Sequence, residues 1–455
     1  MTRDVDFGHE LNPANPSATN GQATSQPWPK NTDLARSMIE PSQGLVELIE
    51  CIPTQQHAQS FRNGILVLAQ KYPDLFRVRR QKIIEENEIV PSEDNSIKYS
   101  AVVIKSYARI NEIHRALSNR HLATWIQSGR PVIFDISTES GIRGVDSWRS
   151  VMDILRHNKI HGGNIIFLQQ NVKSHAELQQ ALIEQPGSPR IRVLELHFYL
   201  DQIHRSCLQD RDYSLPQPGR EARYICLNHS ARPLRAVMVG YLAKHQLLTN
   251  GLVSFPDQAR IEKAYLNAAQ RTGQAIAIDQ FWQQTLDRHP AWADEIKICQ
   301  SLVSPDGLKI ANDTETPVGD HLPGLHSRAL VSVVMETEST DTVLRFTEKS
   351  LQALANGHLT LIIGNHGVLS LLRRYGFQTF SPWIDESYDE ISDLDERLRH
   401  CFAQVRRVLS MNEDHFKLLL EQTAEARQHN MQHARQGLAT LTTEQMQRLH
   451  AAVLN

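Results

Sequence analysis

Apolar runs of four to seven residues, separated by stretches of helical spacing, recur along most of this chain. Ala101-Val102-Val103-Ile104, Pro131 to Ile136, Asn164 to Leu168 and Arg192 to Phe198 each read as a short buried strand. Between them, Arg109 to Ser118, Val145 to His157 and Ser174 to Glu184 place apolar residues every three or four positions, the helical period. Strand-helix alternation of this kind predicts a parallel sheet covered by helices. The polar stretch Asp210 to Glu221, with Pro216, Pro218 and Gly219, reads as a linker. A second unit follows, with strands at Arg223 to Asn228 and Gly251 to Phe255 and a helix at Arg235 to Leu247. Residues 258–316 read as more helical, and beyond Ile391 the spacing of Leu394, Leu398, Phe402, Val405 and Leu409 is helical throughout.

The expected organisation has five parts: a disordered tail over 1–33, a helical accessory segment over 34–94, a first Rossmann-like domain over 95–215, a second over 220–392, and helices over 393–455. The tail is rich in Asn, Pro, Gln, Ser and Thr and has no apolar h-region, so it does not read as a secretory signal. The accessory segment rests on Phe61, Ile65, Leu66 and Leu68, which recur at mixed helical spacings.

Composition narrows the class only a little. The 455 residues suffice for two or three domains, and the formal net charge of -3 gives no global basic field for nucleic acid or an anionic membrane. Five scattered cysteines, Cys51, Cys207, Cys226, Cys299 and Cys401, form no CxxC pair and suit a reducing, cytoplasmic setting. No run of roughly 20 apolar residues is present to span a bilayer.

The chemistry concentrates between Leu330 and Gly367. The apolar run Leu330 to Met335 ends in Glu336-Thr337-Glu338; Phe346-Thr347-Glu348-Lys349 opens a helix; Leu359 to Ile363 ends in Gly364-Asn365-His366-Gly367. Thr347 is a natural N-cap and Gly357 a natural C′ residue. A helix N-terminus carries unpaired N–H groups and partial positive charge. Lys349 in that first turn is misplaced unless an anion sits there, although a solvated surface lysine is an equally ordinary reading. Glycines at a strand-to-helix turn let backbone approach a ligand, yet many such turns hold none. Arg232 and Arg235, around Pro233 and after the strand ending at Asn228, suit a diphosphate through forked hydrogen bonds. Two Asp-x-Asp triplets, Asp210-Arg211-Asp212 and Asp393-Leu394-Asp395, are weak metal candidates, the second because Asp is an ordinary helix cap. His429 and His433, one turn apart in a Gln/His-rich helix, read as a solvated face before they read as metal ligands.

In order and spacing these elements resemble fucosyltransferase-like glycosyltransferases of double-Rossmann (GT-B) architecture. The matching residues are Met335-Glu336-Thr337-Glu338, Phe346-Thr347-Glu348-Lys349 and Ile362-Ile363-Gly364. Cys226 to Arg235, Leu371 to Phe380 and Trp383 to Glu390 look like a bacterial and phage branch of that group. The resemblance covers Arg223 to about Met411 and implies an α/β fold with two Rossmann-like domains facing a cleft. It implies a donor site for a nucleotide-diphosphate sugar built from Asn228, Arg232, Arg235, Glu336, Thr347, Glu348, Lys349 and Gly364. Glu348 would bind ribose or sugar hydroxyls, Glu336 would line the sugar pocket, and Lys349 with Arg235 would neutralise the leaving diphosphate. Met335-Glu336-Thr337 departs from the group's Phe-Glu-Asn, and Phe346 from its usual valine, so fucose is not implied as the donor sugar.

Sugar transfer passes through an oxocarbenium-like state while the leaving group gains charge, which cationic side chains can stabilise without a bound metal. Inversion further needs a carboxylate to take the acceptor's proton. Asp135 and Glu139, just past a strand end in the first unit, are the catalytic candidates, with Glu195 and Asp201 behind them. No resident cofactor is expected; the nucleotide sugar is a substrate. The acceptor is open: a glycan, a protein or a modified DNA base. The rival expectation is a non-catalytic module that binds a sugar nucleotide or another protein.

Overall fold

A computed structural model describes residues 44–51, 64–81, 89, 97–105, 110–160, 164–185, 187, 190–209, 214–262, 278–303, 308 and 323–455. Residues 44–455 make one compact unit that contains two parallel sheets. The tail expected over 1–33 and the Asp210-Arg211-Asp212 triplet lie outside the described residues.

The first sheet has six strands in the order β2-β1-β3-β4-β5-β6. They are β1 (Leu45–Cys51), β2 (Phe76–Gln81), β3 (Ile97–Lys105), β4 (Pro131–Ile136), β5 (Asn164–Gln169) and β6 (Arg190–Glu195). Its helices are α1 (Ile65–Ala69), α2 (Ile110–Leu117), α3 (Arg120–Gln127), α4 (Val145–His157), α5 (Ser174–Glu184) and α6 (Phe198–Gln209). β4 and β5 are buried along their whole length, as expected for strands covered on both faces. Phe134 stacks on Phe167 at 4.9 Å and Trp148 of α4 meets Phe167 edge-on.

The second sheet has four strands in the order β10-β9-β7-β8, all parallel. These are β7 (Tyr224–Cys226), β8 (Gly251–Val253), β9 (Val331–Met335) and β10 (Leu359–Ile363). Around them lie α7 (Pro233–Lys244), α8 (Ile278–Arg288), α9 (Ala293–Val303), α10 (Pro323–His326), α11 (Glu348–Ala355) and α12 (Val368–Arg374). The order reverses direction between β7 and β9, which makes the carboxyl ends of those two strands a topological switch point.

The carboxyl-terminal helices are α13 (Leu394–Leu409), α14 (Glu413–Gln422), α15 (Ala424–Gln432) and α16 (Leu438–Leu454). They pack back across both sheets. Leu398, Phe402 and Val405 join the core of the second sheet, whereas Met446, Leu449 and Val453 join that of β1 and β3. Among the described residues no helix is long and apolar enough to cross a membrane.

Two expectations need correction. The segment expected to be a helical accessory over 34–94 supplies β1, α1 and β2, so it is an integral part of the first sheet. Its strands were hidden by charge. Glu47 and Glu50 interrupt β1, and Arg77, Arg79 and Arg80 interrupt β2, but Glu47 is neutralised across the strands by Arg79 at 2.9 Å. The strand read over Arg192 to Phe198 ends at Glu195; Leu196 N–H still donates to Gln169 O, and Phe198 opens α6. The helical reading of residues 258–316 holds over the described stretches 258–262, α8 and α9.

Candidate functional site

Three helices begin at the carboxyl edge of the second sheet, and each treats its exposed N–H groups differently. At α12 the turn runs through Gly367, whose φ of 83° is the left-handed conformation glycine tolerates. The Asp389 carboxylate accepts from Leu369 N–H at 3.0 Å and Ser370 N–H at 2.9 Å, and Asp389 O accepts from Gly367 N–H. Burial pushes the Asp389 carboxyl up, against the pull of those two N–H groups. The anion position of the Gly-x-x-Gly turn is therefore filled by the protein itself. Gly364 has its own packing reason: a Cβ there would lie 3.3 Å from Glu336 Cγ and from Val368 Cγ1.

At α11 Thr347 is the N-cap, as its sequence position suggested, and Gly357 follows the C-cap with φ 68°. Glu336, 7% exposed, closes this end. Its carboxylate accepts from Thr347 N–H at 2.9 Å, Thr347 Oγ1 at 2.6 Å and Ser350 Oγ at 2.6 Å. Glu336 thereby pins the end of β9 to the start of α11. Lys349 Nζ donates to Glu348 Oε1 at 2.7 Å and reaches Thr337 and Thr347 hydroxyls at 3.3 Å. Burial raises the Glu348 carboxyl, but Lys349 and Arg345 outweigh it and hold the group below the usual carboxylate range.

The α7 terminus is different. Pro233 occupies its first turn, Arg232 is its N-cap residue without a side-chain cap, and no acid stands in the first turn. Arg235 is 2% exposed. Its guanidinium donates to Ser230 O at 3.1 Å and Ser230 Oγ at 2.7 Å and reaches toward Met335 O at 3.5 Å; Nε has no partner. Those contacts set the cation between the loop after β7 and the end of β9, on the switch point. Burial brings the guanidinium down to about 10, and Arg232 adds repulsion that Glu336 and Glu348 partly offset. Asn228, 1% exposed, lies at the same edge: its N–H donates to Ser254 Oγ at 3.0 Å, and its Oδ1 is unpaired. Arg232 is exposed. The structure thus brings Asn228, Arg232, Arg235, Glu336, Thr347, Glu348, Lys349 and Gly364 to one strand edge.

From the first sheet, Asp135 is buried and committed. Its carboxylate accepts from Ile65 N–H at 2.8 Å, Ser137 N–H at 3.1 Å and Ser137 Oγ, fixing the start of α1. Glu139 is half-buried in the loop after β4. Tyr199 of α6 donates to Thr138 O at 3.3 Å. Burial raises its hydroxyl; Glu348, Glu139 and Glu336 add to that rise, and Arg345 opposes it. Glu195 is held by Arg374 at 2.7 Å, by the Tyr375 hydroxyl and beside His197; despite burial these partners bring it down to about 2. Asp201 pairs with Lys71 at 2.6 Å and Arg205 at 2.9 Å.

The loop between β9 and α11 bridges the two sheets. Arg345, 5% exposed, pairs with Glu338 at 2.8 Å and donates to Gln170 Oε1 at 2.9 Å; Arg143 of the first sheet also pairs with Glu338 at 2.8 Å. Asn171 Oδ1 accepts from Leu344 N–H at 3.0 Å, and Val172 N–H donates to Leu344 O at 3.1 Å. Gln170, Asn171 and Tyr199 carry no motif, and Arg345 stands just ahead of the Phe346-Thr347-Glu348-Lys349 block without a role of its own in the sequence. Asp389 lies in a stretch already singled out, but its cap is visible only once the chain returns to α12.

The two metal candidates among the described residues have structural partners. Asp393 caps α13 by accepting from Glu396 N–H at 2.8 Å, and Asp395 accepts from Trp292 Nε1 at 3.1 Å. His429 and His433 stack on each other, with Nε2 of each on a backbone carbonyl, Gly376 O at 2.8 Å and Tyr375 O at 2.7 Å. Among the described residues no cluster of three or more His, Cys, Asp or Glu could hold a metal ion. Cys207, Cys226, Cys299 and Cys401 are buried thiols without a disulfide. In comparisons with known proteins, no family model and no curated protein sequence matches this chain.

Proposed function

We propose that the protein is a glycosyltransferase of GT-B type that moves a sugar from a nucleotide-diphosphate donor to an acceptor hydroxyl. One observation carries the reading: the buried Arg235 cation, with an unpaired Nε, stands at an acid-free helix N-terminus on a topological switch point. A buried cation without a hydrogen-bonded carboxylate is costly in a resting protein, and a bound diphosphate would complete it. The start of α7 is the better phosphate seat, because α11 and α12 are already closed by Glu336 and Asp389. Lys349, whose flexible amine is now on Glu348, would turn to the same phosphates and release Glu348 to sugar or ribose hydroxyls. As the glycosidic bond breaks, charge grows on the diphosphate, and these cations favour that state over the ground state.

Of the two base candidates, Glu139 is the better placed. Asp135 already accepts three hydrogen bonds at the start of α1, while Glu139 lies half-buried in the loop after β4. The same commitment of Asp135 is what favours the rival reading, a module that binds a sugar nucleotide without turning it over. Incubating the full chain with a panel of nucleotide sugars separates them. A transferase hydrolyses at least one donor slowly in the absence of acceptor and loses this activity in Glu139→Gln. A binding module is stabilised by a donor yet leaves it intact, and a chain that neither binds nor cleaves any donor defeats both.

A further inference from the structure

A groove of about 970 Å³ lies between the end of α12, the segment 377–387 and the start of α15. It shares no residue with the candidate donor site, and its size is that of a ligand pocket. Its walls are pre-set by hydrogen bonds. Asn430 brackets Gln378, accepting from its N–H at 2.8 Å and donating to its O at 2.8 Å. Glu386 accepts from Phe380 N–H at 2.6 Å, and Arg407 holds Trp383 O at 2.8 Å. A concavity fixed in this way loses little entropy when it is filled.

The lining defines the ligand. Trp383 is half-buried and gives an aromatic surface, while Gln378 and Thr379 give an amide and a hydroxyl beside it. That combination suits a polyol ring, which has weakly apolar faces and a hydroxyl rim. Among the described residues Arg373 is the basic residue of the lining, engaged by Thr379 at 2.8 Å and Glu386 at 3.2 Å, and Arg407 behind it is engaged by Trp383 O. Asp385, Glu390 and Glu425 are exposed around the groove. Phosphorylated, sulfated and carboxylated ligands are therefore disfavoured, and an ammonium group is favoured, by the carboxylates and over the Trp383 ring.

We infer that this groove binds a saccharide without negative charge, and preferentially one carrying free amino groups. The binding stands independently of the donor site; its assignment as the acceptor's sugar chain rests on the transferase reading. The test is calorimetric titration of the full chain with a glucosamine tetramer, chitotetraose and a sulfated heparin tetrasaccharide, with nucleoside diphosphates titrated on the same samples. The glucosamine tetramer is expected to bind at millimolar concentration, more tightly than chitotetraose, with no heat from the sulfated sugar. Trp383→Ala and Gln378→Ala should each weaken it by about tenfold or more and leave nucleotide binding unchanged. Gln378→Ala removes only a rim side chain, so it carries the test if Trp383→Ala fails to fold. No saccharide binding at about 10 mM, equal binding by both variants, or preference for the sulfated sugar would overturn the assignment. Saccharide binding without nucleotide binding would uphold the groove and remove the transferase reading.

Discussion

Replacing Arg235 by Met separates a ligand-binding cation from a structural one. Burial lowers this guanidinium from its ordinary range to about 10. At 1.36 kcal/mol per unit, holding it charged costs the folded chain about 3 kcal/mol. The sign follows from linkage. The cost is in full force below about pH 10 and is relieved as pH rises from there toward the ordinary guanidinium range, where the unfolded chain binds more protons. Against this stand the hydrogen bonds to Ser230 O and Oγ, which contribute roughly 1.5 kcal/mol each. The contact to Met335 O at 3.5 Å adds little. The two sides nearly cancel, so Arg235→Met should leave the unliganded protein within about 1 kcal/mol of wild type. Binding is another matter. Loss of a buried, charge-assisted contact to phosphate should cost about 2–5 kcal/mol, roughly thirty- to several-thousandfold in affinity. Thermal unfolding with and without GDP, UDP, ADP and CDP reads both quantities. Wild type should gain about 2.7 kcal/mol at a hundredfold excess over Kd, and the variant almost none. A variant that unfolds several degrees lower without ligand, yet keeps the full nucleotide shift, would show Arg235 to be structural and refute the reasoning.

Other residues give independent checks. Glu336→Gln leaves donors from Thr347 and Ser350 facing an amide, and should lower stability by about 2–4 kcal/mol in urea unfolding; a change near zero would remove its pinning role. Thr347→Ala should lose about 1 kcal/mol by the same measurement, as expected for a helix cap, whereas no loss would mean the cap is idle. Glu195 sits at about 2, below its ordinary value, so its contribution is present above about pH 4.5 and is lost as pH falls toward 2. Melting temperatures of Glu195→Gln should accordingly fall less between pH 6 and pH 3 than those of wild type, and parallel curves would contradict the pairing with Arg374, Tyr375 and His197.

Where local pattern and tertiary environment agree, the chain was legible. Pro131–Ile136, Val145–His157 and Ser174–Glu184 appear at the positions their periodicity predicts, because β4 is buried throughout and α4 and α5 present one apolar side. Thr347 and Gly357 were readable because capping is local chemistry. β1 and β2 were not, since their charges are satisfied across strands, as in Glu47–Arg79, and no single segment reveals its partner. The site shows the same division. Its residues were found by order along the chain, but their roles depend on long-range closure. Asp389 returns some twenty positions later to cap α12, and Glu336 spans to Thr347 and Ser350. Those closures leave the start of α7, where Arg232 and Arg235 were read as suiting a diphosphate, as the one of these three helix starts without a carboxylate cap.

A crystal structure of the full chain with its tightest-binding nucleoside diphosphate tests this seat most directly. Phosphate oxygens are expected within about 3 Å of the Arg235 guanidinium and of the first N–H groups of α7, with Lys349 turned from Glu348 toward them. Phosphates seated at the Gly364–Gly367 turn after displacing Asp389, or density for the nucleotide away from the β7–β9 edge, would contradict it.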